Sequence, residues 1–199
     1  MNTALLLVDV INDLVFPEGE QLLAAALPMA KSINRLKAAA TRREIPIIYV
    51  NDNFGHWRSD FRAQVEHCLH DNVPGRAVAK NVTPGKDDYF VLKPMHSGFY
   101  GTALELLLRH LDVRRLILCG TATNICVFFT ASDAYMRGFE LWIPADCVAA
   151  NSEQLSTEAL SVMQTVLKAD VRSSMERGLD DWDDPTSGTV KHDRLLKES

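Results

Sequence analysis

Ala4-Leu5-Leu6-Leu7-Val8-Asp9 is the stretch from which the fold is read. Five apolar residues run without alternation and stop at an acid. A strand with one wet face alternates apolar and polar positions. An unbroken run belongs to a strand covered on both faces, as in a parallel sheet between helices. Working outward, the same pattern recurs at Ile45–Val50, at Tyr89–Leu92, at Leu116–Cys119 before Gly120, at Phe139–Ile143 before Pro144, and more weakly at Ala169–Arg172. Helical spacing fills the gaps. Ala24–Arg42 places Leu27, Ala30, Ile33, Leu36 and Ala40 three or four residues apart, and Tyr100–Leu111, Asn124–Arg137 and Leu155–Leu167 follow. Gly138 is placed to end the third of these helices as its C′ residue. Asn51–Lys86 reads as loop and short helix. The alternation predicts an α/β fold: a three-layer α-β-α sandwich around an open, mostly parallel Rossmann-like sheet with right-handed crossovers.

The 199 residues suit a single domain spanning 1–199, long enough to bury a core without staples. With 47% hydrophobic and 24% charged residues, the chain is neither disordered nor collagenous. A net charge of −5 opposes a long phosphate backbone, so no nucleic-acid partner is expected. Cys68, Cys119, Cys126 and Cys147 form no C-x-x-C pair and suggest neither a zinc knuckle nor a disulfide frame. The N-terminus lacks a basic leader, and no run approaches the roughly 20 apolar residues of a membrane span. The expectation is a cytoplasmic protein with reduced thiols and no membrane partner. About 175–199 is polar and acidic around Trp182 and reads as a surface arm.

Ligands in open α/β sheets sit beyond the carboxyl ends of the strands. The residues to read are therefore Asp9, Asn51–Trp57, Lys93 and Gly120–Cys126. No G-x-G-x-x-G and no G-x-x-x-x-G-K-[ST] occurs, and the acid after the first strand would repel a pyrophosphate. No nucleotide or flavin cofactor is expected. G-x-S-x-G is absent as well, so a serine elbow is not supported.

What the strand ends do bring together is an acid, a base and a thiol. Cys126, six residues after Gly120, falls in the first turn of the next helix, where free N–H groups and the helix dipole favour a thiolate. Those N–H groups can also hold an oxyanion. Lys93 adds positive charge, and Asp9 can take the thiol proton and pass it to a leaving amine. Each residue also has an ordinary reading: Cys126 as a small core residue, Asp9 as a helix cap, Lys93 as a solvated loop residue.

Three segments carry a resemblance. They are Leu5-Leu-Leu-Val-Asp9-Val-Ile-Asn12-Asp13, Val91-Leu-Lys93-Pro-Met-His-Ser97-Gly-Phe99-Tyr-Gly101-Thr102, and Gly120-Thr-Ala-Thr-Asn-Ile-Cys126-Val with Ala131-Ser-Asp133-Ala-Tyr-Met-Arg-Gly138. In order and spacing, over most of 1–175, the chain resembles the isochorismatase-like cysteine hydrolases, which include nicotinamidases, N-carbamoylsarcosine amidases and ureidoacrylate-type amidases. The resemblance implies a six-stranded parallel sheet and a catalytic triad of Asp9, Lys93 and Cys126. It implies a cis peptide between Thr121 and Ala122, turning the Ala122 N–H toward the oxyanion beside that of Cys126. It also implies a homo-oligomer, a dimer or larger.

Two departures matter. Many members carry Gln where this chain has Ile11. Nicotinamidases carry an Asp-x-His metal motif after the second strand, but Asp52 is followed here by Asn53 and Phe54. His56, His67 and His70 lie nearby without ligand spacing that defines a site, so no metal is expected and nicotinamide is not the favoured substrate. Trp57, Phe99, Tyr100 and Phe128 can wall a pocket for a small planar substrate, or serve as core and subunit contacts. Asn12 can touch substrate or cap a helix, and His96, next to the lysine motif, can face the pocket or stand as a solvated loop residue.

The expected activity is hydrolysis of a small-molecule amide or related C–N bond through a thioester, with Asp9 also activating the water that releases it. Lys93 would stabilise the ionisation of Asp9 and Cys126. Vinyl-ether hydrolysis of isochorismate type, with a dispensable thiol, is the first alternative. A non-catalytic binder on the same fold is the second.

Overall fold

In the computed structural model, β1 (Thr3–Val8) is buried at all six positions. Its odd residues, Leu5 and Leu7, enter one core and its even residues, Ala4, Leu6 and Val8, the other. That is why its sequence shows no alternation: both faces meet apolar helices. The structure describes residues 2–53 and 60–183.

The other strands are β2 (Ile47–Asp52), β3 (Tyr89–Lys93), β4 (Arg115–Thr121), β5 (Glu140–Trp142) and β6 (Val148–Ala149). All pair in parallel. The order is β3-β2-β1-β4-β5, with β6 beside the far end of β4. β1 and β4 are in register from Thr3 with Arg115 to Val8 with Gly120. Strand direction therefore carries Asp9, Lys93 and the residues after Thr121 to one edge.

The helices are α1 (Gly19–Arg42), α2 (Phe61–His70), α3 (Arg76–Asn81), α4 (Leu104–His110), α5 (Phe128–Met136), α6 (Glu153–Thr165) and α7 (Leu179–Asp183). α1 brings Ala26, Ala30 and Ile33 to the first face, with α2 and α3 beside it. Leu104, Leu108, Ala131, Ala134 and Met163 from α4, α5 and α6 cover the second. The result is three layers, α-β-α. Gly138, at φ 80°, follows the end of α5 as its periodicity predicts. None of the described helices is long and apolar enough to cross a membrane.

Three expectations need correction. The sixth strand is not Ala169–Arg172: only Asp170 bridges there, through one parallel pairing with Trp142. The pair Val148–Ala149 takes that place, too short to show as a run. Within Asn51–Lys86 stand two helices rather than one, and the Asp60 carboxylate caps the first by accepting the Arg62 N–H at 2.8 Å. The start of the expected surface arm, 175–183, folds back onto the chain. Leu179 and Trp182 are buried. The Trp182 ring packs 5.9 Å from that of Trp142, with Arg115 and Arg177 lying 5.3 and 5.0 Å from it. An indole supplies more apolar area than the flanking aspartates can keep in water.

Candidate active site

Asp9 is the first residue after β1 and adopts a left-handed conformation, φ 49°. Aspartate tolerates that region better than most residues, and such backbones cluster at functional sites. The turn aims its carboxylate across the end of β2, where Oδ1 accepts the Asp52 N–H at 2.6 Å. Thr121 holds the turn from the other side by donating its hydroxyl to the Asp9 carbonyl at 3.1 Å.

Lys93 ends β3, two strands away, in register with Asp52. It is fully buried. Its Nζ lies 2.8 Å from Asp9 Oδ2 and 3.7 Å from Asp52 Oδ2. It donates to the Met95 carbonyl at 3.2 Å and to Cys126 Sγ at 3.5 Å. A buried ammonium needs such partners, and here one of them is the sulfur.

Cys126 arrives from β4. Gly120 has φ 122°, and a Cβ there would stand 1.9 Å from the Val8 carbonyl oxygen, so only glycine lets β4 pass β1 at this point. The Thr121–Ala122 peptide is cis. The chain then makes a π-helical turn, Thr123–Val127, closed by the Val127 N–H on the Ala122 carbonyl at 3.2 Å, before α5 begins. Cys126 thus sits in a π turn that feeds the helix, a feature frequent at functional sites. Its Sγ lies 3.9 Å from His96 Nδ1.

The three side chains that the sequence singles out meet within hydrogen-bonding distance around the Lys93 ammonium. Their electrostatics differ from the expectation in one respect. Burial, reinforced by the Asp9 carboxylate, pushes the Cys126 thiol up to about 12, and Lys93 only partly offsets this. The resting sulfur is therefore a thiol, not a thiolate stabilised by a helix end. Burial also raises Asp9, against the pull of Lys93 and the hydrogen bonds from Cys126, Lys93 and Asp52. Burial works against the Lys93 charge, but Asp9, Cys126 and Asp52 outweigh it and hold its pKa above the ordinary value. Burial thus pushes both Asp9 and Cys126 upward, while the ammonium of Lys93 opposes it in both.

Asp9 and Cys126 line a pocket of about 390 Å³, and Lys93 is buried behind them. Asn12, Phe16, Glu18 and Leu22 form one wall, Asp52 and His96 a second, and Thr121, Ala122, Ile125 and Asn151 the rest. The Asn12 side-chain oxygen Oδ1 also accepts the Leu14 N–H at 2.8 Å, capping a turn rather than a helix. Of the aromatic residues proposed as walls, none that is described lines this pocket. Phe99 is buried, with the Arg137 guanidinium 4.8 Å from its ring. Tyr100 is exposed, and Phe128 packs against the second core. Each points away because the chain turns at Ser97–Gly98 and at the start of α5. Trp57 and His56 lie outside the described residues. His67 is held by Asp71 at 2.6 Å and Asp13 at 3.3 Å, and His70 by Glu66 at 3.3 Å. Sequence reading missed Phe16, Glu18, Leu22 and Asn151, while Ile125 falls within the Gly120–Cys126 segment it pointed to. The strand-end rule points at the segment after β1, but Asn151 follows a strand too short to recognise.

Comparison with known proteins bears on this geometry. The family model described as Isochorismatase domain matches residues 3–174. The chain is 44% identical over 168 residues, 84% of its own length and 92% of the relative's, to YaaI, an uncharacterised isochorismatase family protein of Bacillus subtilis strain 168. Among solved structures it resembles the N-carbamoylsarcosine amidase of Thermoplasma acidophilum at 29% identity and TM-score 0.68, covering 89% of this chain and 99% of that one. It resembles the pyrazinamidase/nicotinamidase of Streptococcus mutans UA159 at 29% identity and TM-score 0.66, covering 85% and 99%. A parallel sheet that carries an acid, a lysine and a cysteine to one edge, matched along nearly its whole described length, makes this chain a member of the isochorismatase family of hydrolases.

Proposed function

We propose that the protein hydrolyses a small-molecule amide or related C–N bond through a thioester on Cys126. The observation that carries this reading is the buried Lys93 ammonium, 2.8 Å from the carboxylate of Asp9 and 3.5 Å from the sulfur of Cys126, two residues that line the pocket. Two of the similar structures bear amidase names, which supports C–N chemistry.

The residues divide the work by their surroundings. Asp9, made more basic by burial, takes the thiol proton as sulfur attacks the carbonyl carbon. Lys93 keeps the carboxylate charged before the transfer and balances the charge that develops on sulfur. The N–H groups of Ala122 and Cys126 stand on the turn that presents the sulfur and serve the oxyanion. Asp9 then gives its proton to the departing amine, and water cleaves the thioester. No step draws on a metal or an organic cofactor.

Vinyl-ether hydrolysis gains no support from the pocket. Its described residues include the carboxylates of Asp9, Glu18 and Asp52, an unfavourable lining for a dicarboxylate such as isochorismate. The test is a panel of small primary amides, N-carbamoyl compounds and isochorismate, scored by release of ammonia or pyruvate. Ammonia from at least one amide, lost in Cys126→Ala, is expected. Full turnover by Cys126→Ala, or pyruvate release alone, contradicts the reading.

A further inference from the structure

We infer that His96 is a catalytic residue of the second half-reaction, taking a proton from the water that cleaves the thioester and returning it to the Cys126 sulfur. The inference rests on the thioester reading above and reassigns one step of it. From the sequence, Asp9 is the expected activator of that water, and His96 either faces the pocket or stands in a solvated loop.

Asp9 lines the pocket too, but its carboxylate oxygens are already engaged. Its Oδ1 accepts the Asp52 N–H at 2.6 Å, its Oδ2 lies 2.8 Å from Lys93 Nζ, and almost none of its surface is open. Once sulfur carries an acyl group, that group occupies the pocket that Cys126 lines. Water must then approach from the pocket's open side. His96 lines the pocket, is exposed, and holds Nδ1 3.9 Å from Sγ. The acyl carbon is one bond from that sulfur, so a single hydrogen-bonded water joins it to the imidazole.

The position of His96 is fixed relative to the sulfur. Its ring stacks on that of Phe129 in α5, centroids 5.6 Å apart. The residues after it are tied to the same helix: the Ser97 hydroxyl donates to Asp133, and the Gly98 N–H donates to Thr130 Oγ1 at 3.0 Å. Since α5 continues the turn that carries Cys126, imidazole and sulfur ride on one rigid unit. Imidazole is the side chain best suited to accept and return a proton near neutral pH.

The protons and electrons balance. The thiol proton leaves with the amine, so the acyl-enzyme has Asp9 as carboxylate. Water oxygen bonds to the acyl carbon and one water proton passes to His96. The carbon–sulfur bond breaks, its electron pair stays on sulfur, and the imidazolium returns the proton to sulfur. Carboxylic acid, thiol and neutral imidazole result, with no change of oxidation state.

The experiment uses p-nitrophenyl acetate, an activated acyl donor that needs no knowledge of the natural substrate. The unmodified protein gives a stoichiometric burst of p-nitrophenolate and then a slower steady rate, each above the Cys126→Ala background. Peptide mapping finds the acetyl group on Cys126. His96→Gln is expected to keep the burst rate within about twofold, lower the steady rate roughly 10²-fold and accumulate acetyl-enzyme. In His96→Ala, added imidazole restores the steady rate. If both phases fall together, if neither moves, or if imidazole restores nothing, His96 does not act in deacylation. If the unmodified protein never acetylates Cys126, the thioester reading fails first and this inference falls with it.

Discussion

Asp9 concentrates the chemistry of this site in one side chain. It acts as a base only as the carboxylate, so activity is present above its pKa and lost as pH falls through it. Burial raises that pKa from its ordinary 3.8. The acid limb of kcat/KM is therefore expected above the ordinary carboxylate range, and it belongs to the coupled cluster rather than to Asp9 alone. A limb at or below 3.8 in a pH–rate profile would contradict the electrostatics. Asp9→Asn keeps the shape and removes the base, so kcat should drop by roughly 10³-fold or more, and the melting temperature should fall as well because the buried Lys93 ammonium loses its carboxylate partner. For sulfur, the expectation is a thiol titrating at about 12. Alkylation of Cys126 by iodoacetamide should keep rising with pH past the ordinary thiol value of 9.0, whereas a plateau near neutrality would reveal a resting thiolate. Lys93→Met leaves the Asp9 carboxylate buried without its partner. Denaturant unfolding should show a loss of about 3–5 kcal/mol, smaller to the extent that Asp9 takes up a proton instead.

At the scale of elements, the sequence was most informative where burial is two-sided. β1 and β4 show as unbroken apolar runs because Leu5, Leu6, Ile117 and Leu118 alternate between two dry cores. Lys93 and Asp9 were legible for the same reason: a charge that ends such a run has nowhere to point but the sheet edge. What sequence could not show is set by tertiary contact. Val148–Ala149 is a strand only because β4 lies beside it. Phe99 and Phe128 read as pocket walls from proximity in sequence, but the turns after them carry both rings into packing contacts. A motif does not show burial, which here pushes the Cys126 thiol up to about 12 against the helix end. Gly120 supplies a test at this scale. A Cβ 1.9 Å from the Val8 carbonyl forces β1 and β4 apart at the site. Gly120→Ala should lower the melting temperature and abolish Cys126 acylation together, and a variant that melts normally with full acylation would contradict that account.

Across the whole molecule, the fold works as a frame that brings three strand ends to one pocket, and its far end is closed by the last described helix. Trp182, only 1% exposed, packs on Trp142 between Arg115 and Arg177. Trp182→Ala should destabilise the protein by about 3–5 kcal/mol in denaturant unfolding, leaving the kinetics of the surviving folded fraction intact. A loss under about 1 kcal/mol would mean that the segment does not close the core. The account as a whole stands on the chemistry at the other end of the sheet. Its most direct test is rapid quenching of the protein during turnover of an amide, followed by peptide mapping. The acyl portion of that amide should appear on the peptide bearing Cys126, and it should be absent from Asp9→Asn. Turnover with no acyl group on Cys126, or with the group on another residue, would contradict it.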